Sequence, residues 1–170
     1  LMANGAAGVT LSSRSGRVGR DGQGLKARLA SLGAAAQVMT CDVGDCPDAF
    51  SLLAHGSFVG VLHAAGVLRD RMLRAMTDED VDGSLSPKAI AASHAHRVTA
   101  PAPLEALGLF SSVASTLGNV GQGNYAAANA HLDGIALGRR MRGVLCSSAY
   151  PCLVEAIRGG GGGSDLNGSA

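Results

Sequence analysis

Tyr125 and Asn129 lie four residues apart in Gly121-Gln-Gly-Asn-Tyr-Ala-Ala-Ala-Asn-Ala, and thirteen residues before Tyr125 the apolar run Leu107-Gly-Leu-Phe-Ser-Ser ends at Ser112. On a helix, positions i and i+4 share a face, so a phenol and a carboxamide would point into the same space one turn apart. A hydroxyl at a strand end, facing a phenol on the next helix, is an arrangement for protonating or deprotonating an oxygen. A phenol in water keeps its proton up to about pH 10, so acid–base work near neutrality needs a nearby cation that favours phenolate. The chain has two lysines, Lys26 and Lys88. Lys26 falls on a helix beside the first loop, which leaves Lys88 as the expected charge. Singly, each residue has a plainer role: a surface tyrosine, a solvated lysine, a serine capping a turn, an asparagine bonded to helix backbone. Ser111 competes with Ser112 for the hydroxyl role.

The elements that must position these groups follow from hydrophobic pattern. Strands are expected at Val9–Ser12, Ala36–Thr40, Phe58–Ala64, Leu104–Ser111 and Val144–Ser148. Phe58–Ala64 and Leu104–Ser111 are nearly continuous apolar runs, the pattern of strands buried on both faces. Leu25, Leu29 and Leu32 have helical spacing, and Gly33 ends that helix. Pro47–His55 reads as a short helix with proline in its first turn. Thr77-Asp-Glu-Asp is a capping-box-like start for a helix running toward Val98, kinked or divided at Pro87. Asn124–Met141 is a long Ala-rich helix, apolar through Ala128, Leu132, Ile135 and Leu137, with Arg139, Arg140 and Arg142 near its negative end. Arg17–Gln23 is a basic, Gly-rich loop, and Gly159–Gly163 opens a flexible tail. Strands alternating with helices give an α/β fold with a doubly wound parallel sheet. Ligands of such sheets bind beyond the carboxyl ends of the strands. Ser12–Ser15, Asp42, Ala64–Gly66 and Ser112 all fall there.

Composition narrows the function classes. A chain of 170 residues is large enough for a core, and with 46% apolar but only 3% aromatic residues that core must be Ala, Val and Leu. A net charge of +1 points to no nucleic-acid partner. No apolar run is long enough for a membrane span. Cys41, Cys46, Cys146 and Cys152 are scattered, without the short paired spacing of a metal site. They read as reduced thiols, which implies a cytoplasmic or plastidial setting. His63, His94 and His96 have no ligand-spaced partner: His63 ends a buried strand and the other two are expected on a solvent face.

The segment Phe110-Ser-Ser-Val-Ala-Ser-Thr-Leu-Gly-Asn-Val-Gly-Gln-Gly-Asn-Tyr-Ala-Ala-Ala-Asn-Ala resembles the active-site region of polyketide synthase ketoreductase domains, members of the short-chain dehydrogenase/reductase superfamily. Leu11-Ser-Ser-Arg-Ser-Gly, Cys41-Asp-Val, His63-Ala-Ala-Gly-Val-Leu-Arg-Asp and Ser86-Pro-Lys-Ala match further pieces, in the family's order and spacing from about Gly8 to about Ser148. The resemblance implies a Rossmann-like fold and catalytic roles for Tyr125, Ser112, Lys88 and Asn129. The lysine in a Pro-Lys segment and the asparagine four after the tyrosine are the ketoreductase arrangement; most of the superfamily exchanges the two residue types. At the cofactor, Ser13 and Arg14 stand where an acidic residue would bind a ribose 2′-hydroxyl, so arginine favours NADPH through its 2′-phosphate. The competing reading is that Arg14 is a solvated loop arginine, like nearby Arg17 and Arg20. Asp42 and Val43 resemble the adenine contact, and Ala64, Ala65 and Gly66 the approach to the ribose. Asp70 takes the last place of the Leu-Asp-Asp motif of ketoreductases that form the D-configured alcohol, although Arg69 departs from it. Leu117 stands where the opposite class has tryptophan. Together they lean toward B-type stereocontrol. Otherwise Asp70 is an N-cap for a helix over Arg71–Met76.

The implied reaction is NADPH-dependent reduction of a β-ketoacyl group, held on the phosphopantetheine of an acyl carrier protein, within a synthase whose other domains are its partners. Residues 1–150 correspond to the catalytic subdomain, without the family's first strand and Gly-rich phosphate loop, so the fold is expected to be truncated at its N-terminus. Asn4-Gly-Ala-Ala-Gly reads as the end of the helix that follows that loop. Residues 151–170 diverge, with Ala149-Tyr-Pro-Cys in place of the family's Trp-Gly stretch. A degenerate, non-catalytic ketoreductase fragment is the alternative. A reductase of free small molecules is a third reading, disfavoured by the Tyr-x-x-x-Asn order.

Overall fold

A computed structural model describes residues 5–19, 24–101 and 104–149. Asn4, Arg20, the end of the Arg17–Gln23 loop, Cys152 and the Gly-rich tail lie outside the described residues. The strands are β1 (Val9–Ser13), β2 (Ala36–Thr40), β3 (Gly60–His63), β4 (Ala106–Phe110) and β5 (Cys146–Ala149). The α-helices are α1 (Leu25–Leu32), α2 (Cys46–His55), α3 (Asp78–Leu85), α4 (Ala91–Thr99), α5 (Ala114–Leu117) and α6 (Gly123–Met141). Every strand pairing is parallel: β1 with β2, β3 with β4, β4 with β5. Helical crossovers impose this, because a parallel pair needs a long connection. This is the expected Rossmann-like α/β architecture.

The sheet is in two pieces, β1-β2 and β3-β4-β5. No described segment pairs with the free edges of β1 and β3, and both strands line one cavity. The structure corrects the burial expected of β3. His63 is buried but Leu62 is 54% exposed, its side chain lying over Gly108 of β4 with no described layer covering it. β4 is closer to expectation, with Leu107 and Leu109 almost wholly buried.

Local chemistry explains the helix limits. Gly33, at φ 56°, turns the chain out of α1 in the left-handed region that glycine enters without a Cβ penalty. Asp45 caps α2 by accepting from the Asp48 N–H, with Pro47 in the first turn. Thr77 and Asp80 form the capping box expected at α3. The helix expected toward Val98 is divided by a π turn over Ser86–Ile90 that contains Pro87. Proline has no N–H for the α ladder, and a wider turn absorbs the loss. That turn holds Lys88.

The core lies between α4, α6 and the three-stranded sheet: Ala92, Ala95, Leu107, Leu109, Leu132, Ala136 and Cys146. Alanines let the helices approach the strands closely, so three leucines fill the space that aromatics would otherwise take. The buried stripe of α6 is Ala128, Leu132, Ala136 and Arg139; Leu137 lies on the exposed side, contrary to the expected stripe. Four-residue steps drift slowly round a helix, and residue 137 breaks that run. His94 also departs from expectation. It is buried, with Nδ1 3.2 Å from the Val43 carbonyl, because α2 and α4 pack together over it.

Candidate active site

Lys88 is the centre of the site. Only 4% of it is exposed. Its Nζ donates to the Phe110 carbonyl at 2.8 Å, at the end of β4, and lies 5.4 Å from the centroid of the Tyr125 ring. The π turn brings the lysine inward and the start of α6 brings the phenol to meet it. Burial pushes the Lys88 pKa below the usual lysine value, while the Asp133 carboxylate pulls it back up. His63 is tied to the same turn: its Nε2 lies 2.9 Å from the Lys88 carbonyl oxygen. Burial, more than the neighbouring cation, holds His63 below its ordinary value. A Cβ on Gly66 would stand 3.5 Å from Lys88 Nζ, which sets the Ala64–Gly66 segment directly beside the amine.

The two serines after β4 differ. Ser111 is 3% exposed and turns its hydroxyl onto the Asn129 carbonyl in α6. Ser112 is half-buried, and its Oγ accepts from the Ala114 N–H at 3.2 Å, the turn-capping bond a strand-end serine forms. Ser111 is thus held inside the packing, and Ser112 is the more open of the two.

Asn129 is completely buried. Its Nδ2 donates to the Tyr125 carbonyl at 2.7 Å and its Oδ1 has no hydrogen-bond partner among the described residues. It therefore bonds helix backbone and not the Lys88 amine.

All seven residues expected at the cofactor, Ser13, Arg14, Asp42, Val43, Ala64, Ala65 and Gly66, line one cavity of about 530 Å³. They come from the carboxyl ends of β1, β2 and β3, where ligands of α/β sheets bind. The same cavity runs on between β1 and β3, where Leu11, Val61 and Leu62 line it, so its volume includes the gap in the sheet as well as the space at the strand ends. Arg14, exposed at its edge, could hold a phosphate group. Pro87 and Ala91 line it too, so the cavity borders the turn that holds Lys88.

Asp70 is exposed and accepts from Gln122 Nε2 at 2.9 Å. It caps no helix: a short 3-10 turn over Leu73–Ala75 follows, and Met72 precedes that turn. The helix expected over Arg71–Met76 is absent. Leu117 ends α5 and is 82% exposed.

Sequence reasoning missed Asp133 and Asn124. Asp133 stands eight residues after Tyr125, in the series 125, 129, 133, so its face was readable from period alone. Its Oδ2 accepts from Ser115 Oγ at 2.7 Å. Ser115 Oγ also contacts the Ser112 carbonyl at 2.8 Å, so the carboxylate reaches the serine loop through one hydroxyl. Asn124 has no such signal, because its partners lie far away in sequence.

The model of the KR domain family matches residues 1–153. Polyketide synthase GfsB of Streptomyces halstedii is 44% identical over 161 residues, which cover 92% of this chain and 3% of that protein. Erythronolide synthase EryA2 of Saccharopolyspora erythraea is 40% identical over 144 residues, covering 83% of this chain and 4% of its own length. Among solved structures, A-type ketoreductases from a modular polyketide synthase share 37% identity with a TM-score of 0.76, over 85% of this chain and 32% of theirs. The chain therefore spans a small part of the proteins it matches. Together with a lysine and a phenol brought side by side at the strand ends, these matches show that the chain belongs to the ketoreductase domain family of polyketide synthases, within the short-chain dehydrogenase/reductase superfamily.

Proposed function

We propose that this chain is the catalytic part of an NADPH-dependent β-ketoacyl reductase. Its substrate is a β-ketoacyl thioester carried on the phosphopantetheine of an acyl carrier protein, and its product is the β-hydroxyacyl thioester. The observation that carries the reading is Lys88 Nζ, buried and 5.4 Å from the centroid of the Tyr125 ring, at the end of β4. When bound, NADPH would supply the hydride that the β-carbon receives. Tyr125 gives the carbonyl oxygen its proton, so the ketone becomes an alcohol and the phenol becomes phenolate. The Lys88 ammonium favours that negative charge, and Asp133 keeps the lysine nearer its charged form. Ser112 donates its hydroxyl to the substrate oxygen. Asn129 holds the turn of α6 that carries the phenol, through its bond to the Tyr125 carbonyl.

Arg14 and Ser13 take the 2′-phosphate, Asp42 and Val43 the adenine, and Ala64, Ala65 and Gly66 the ribose. The same fold carries A-type reductases, so product configuration is read from Asp70 and Leu117, which favour the D alcohol of B-type enzymes. A soluble ketone such as trans-1-decalone with NADPH tests the assignment. Tyr125→Phe lowers turnover by about 10²–10⁴-fold, the worth of a positioned acid; unchanged turnover refutes it.

A second reading has one observation in its favour: the free edges of β1 and β3 leave the cavity's inner wall open. On that reading the chain is a non-catalytic ketoreductase fragment. Calorimetric titration of this chain with NADPH separates the two. Saturable binding supports the enzyme, and no binding supports the fragment.

A further inference from the structure

Asn124 is 4% exposed and stands immediately before the phenol. Its Nδ2 donates to two carbonyls from distant segments, Arg69 at 3.0 Å and Asp80 at 2.8 Å. Its Oδ1 accepts from the Tyr125 N–H at 2.8 Å. Both amide hydrogens and the carbonyl are thus used, in one orientation of the carboxamide. A flipped amide would set an oxygen against two carbonyl oxygens and an N–H against an N–H.

The Asn124 bond is the last of a row. The Arg71 N–H donates to the Gly121 carbonyl at 2.7 Å, Gln122 Nε2 donates to Asp70 Oδ2 at 2.9 Å, and Asn124 Nδ2 donates to the Arg69 carbonyl. Residues 71, 70 and 69 therefore meet 121, 122 and 124 in antiparallel order. Gly121 takes φ 75°, the left-handed conformation that glycine enters without a Cβ penalty, and in it presents its carbonyl to the Arg71 N–H. α3 closes the arrangement, because Arg71 Nε lies 2.8 Å from Asp80 Oδ2 and the Asp80 carbonyl is the second acceptor of Asn124. Two neighbouring segments, with acceptors 55 and 44 residues before Asn124, meet the start of α6 on one buried carboxamide. The two are Arg69–Arg71 and the first turn of α3, and the start of α6 carries Tyr125.

We propose that Asn124 is a positioning residue that locks the Arg69–Arg71 segment to the start of α6, and thereby fixes Asp70 relative to Tyr125 and sets which face of the ketone is reduced. The lock itself stands on these bonds alone. Its consequence for product configuration rests on the reductase reading above.

Asn124→Asp tests it, since a carboxylate oxygen would then face two carbonyls. Asn124→Ser is the second variant, and removes the two donors without adding charge. Hydrogen exchange is read on the full chain by mass spectrometry, and the alcohol from a prochiral ketone is resolved on a chiral column. In either variant the Arg71 amide exchanges at least about tenfold faster, while amides near Leu132 keep their protection. The alcohol ratio moves toward equal amounts, with a smaller loss in kcat. Gln122→Ala frees only Asp70, so it shifts the alcohol ratio and leaves Arg71 protected. Unchanged Arg71 protection in both Asn124 variants overturns the lock. A lost lock with an unchanged alcohol ratio overturns its link to configuration. A native chain with no turnover refutes the reductase reading, and the exchange experiment still decides the lock.

Discussion

Lys88 illustrates how one buried charge is used. An ammonium taken out of water is costly, and burial shifts the group toward its neutral form. The structure partly offsets this with the Phe110 carbonyl, the face of the Tyr125 ring and the Asp133 carboxylate. The folded pKa lies below the ordinary 10.5, so within that interval the unfolded chain binds more protons than the folded one. The penalty is fully present below the folded value and disappears as pH rises through 10.5. Wild-type stability should therefore gain on that of Lys88→Met as pH is raised through this window, measured as the difference in Tm. At neutral pH the methionine variant, free of the buried charge, should be at least as stable. A difference in Tm that does not vary with pH would show Lys88 to be solvated.

The helices hold the reacting groups in register through contacts between elements. α5 is one turn long and carries Ser112 at its entrance, so it cannot be stable alone. Ser115 fastens it to α6 through Asp133. A hydrogen bond to a charged acceptor contributes about 1.5–3 kcal/mol, less where solvent reaches it. Ser115→Ala and Asp133→Asn should each destabilise the chain, and the double variant should fall short of their sum by about 0.5–1 kcal/mol. Denaturant unfolding of the four proteins measures that coupling, and strict additivity would mean that the contact adds nothing. At the far end of α6, buried Arg139 contacts His96 Nδ1 and donates to Thr99 Oγ1, pinning this helix to α4.

At the scale of the molecule, the parallel sheet is divided, and the division shapes both the cavity and the surface. Among the described residues nothing pairs with the outer edges of β1 and β3, and Leu62 and Val59 are exposed beside one of them. An uncovered edge with apolar side chains invites pairing with another chain. The isolated chain should therefore self-associate as its concentration rises, and Leu62→Lys should reduce that association. Multi-angle light scattering reads the result; a monodisperse monomer in both proteins would contradict it.

Much was legible in the sequence because it depends on neighbours along the chain. Apolar period and turn residues locate the five strands and the main helices to within a few residues. The four-residue step from Tyr125 to Asn129 and the two-lysine composition single out the catalytic candidates. The Ser112, Asp42 and Ala64–Gly66 positions follow from the rule that ligands meet strand ends. Tertiary structure decided what lies across segments. It brought Lys88 to the Phe110 carbonyl, 22 residues away, and Asn124 to Arg69, 55 away. It buried His94 under α2 and left Leu62 exposed on β3. The physical reason is that local pattern says which residues avoid water, whereas each partner and each exposed edge depends on how separate elements pack in space.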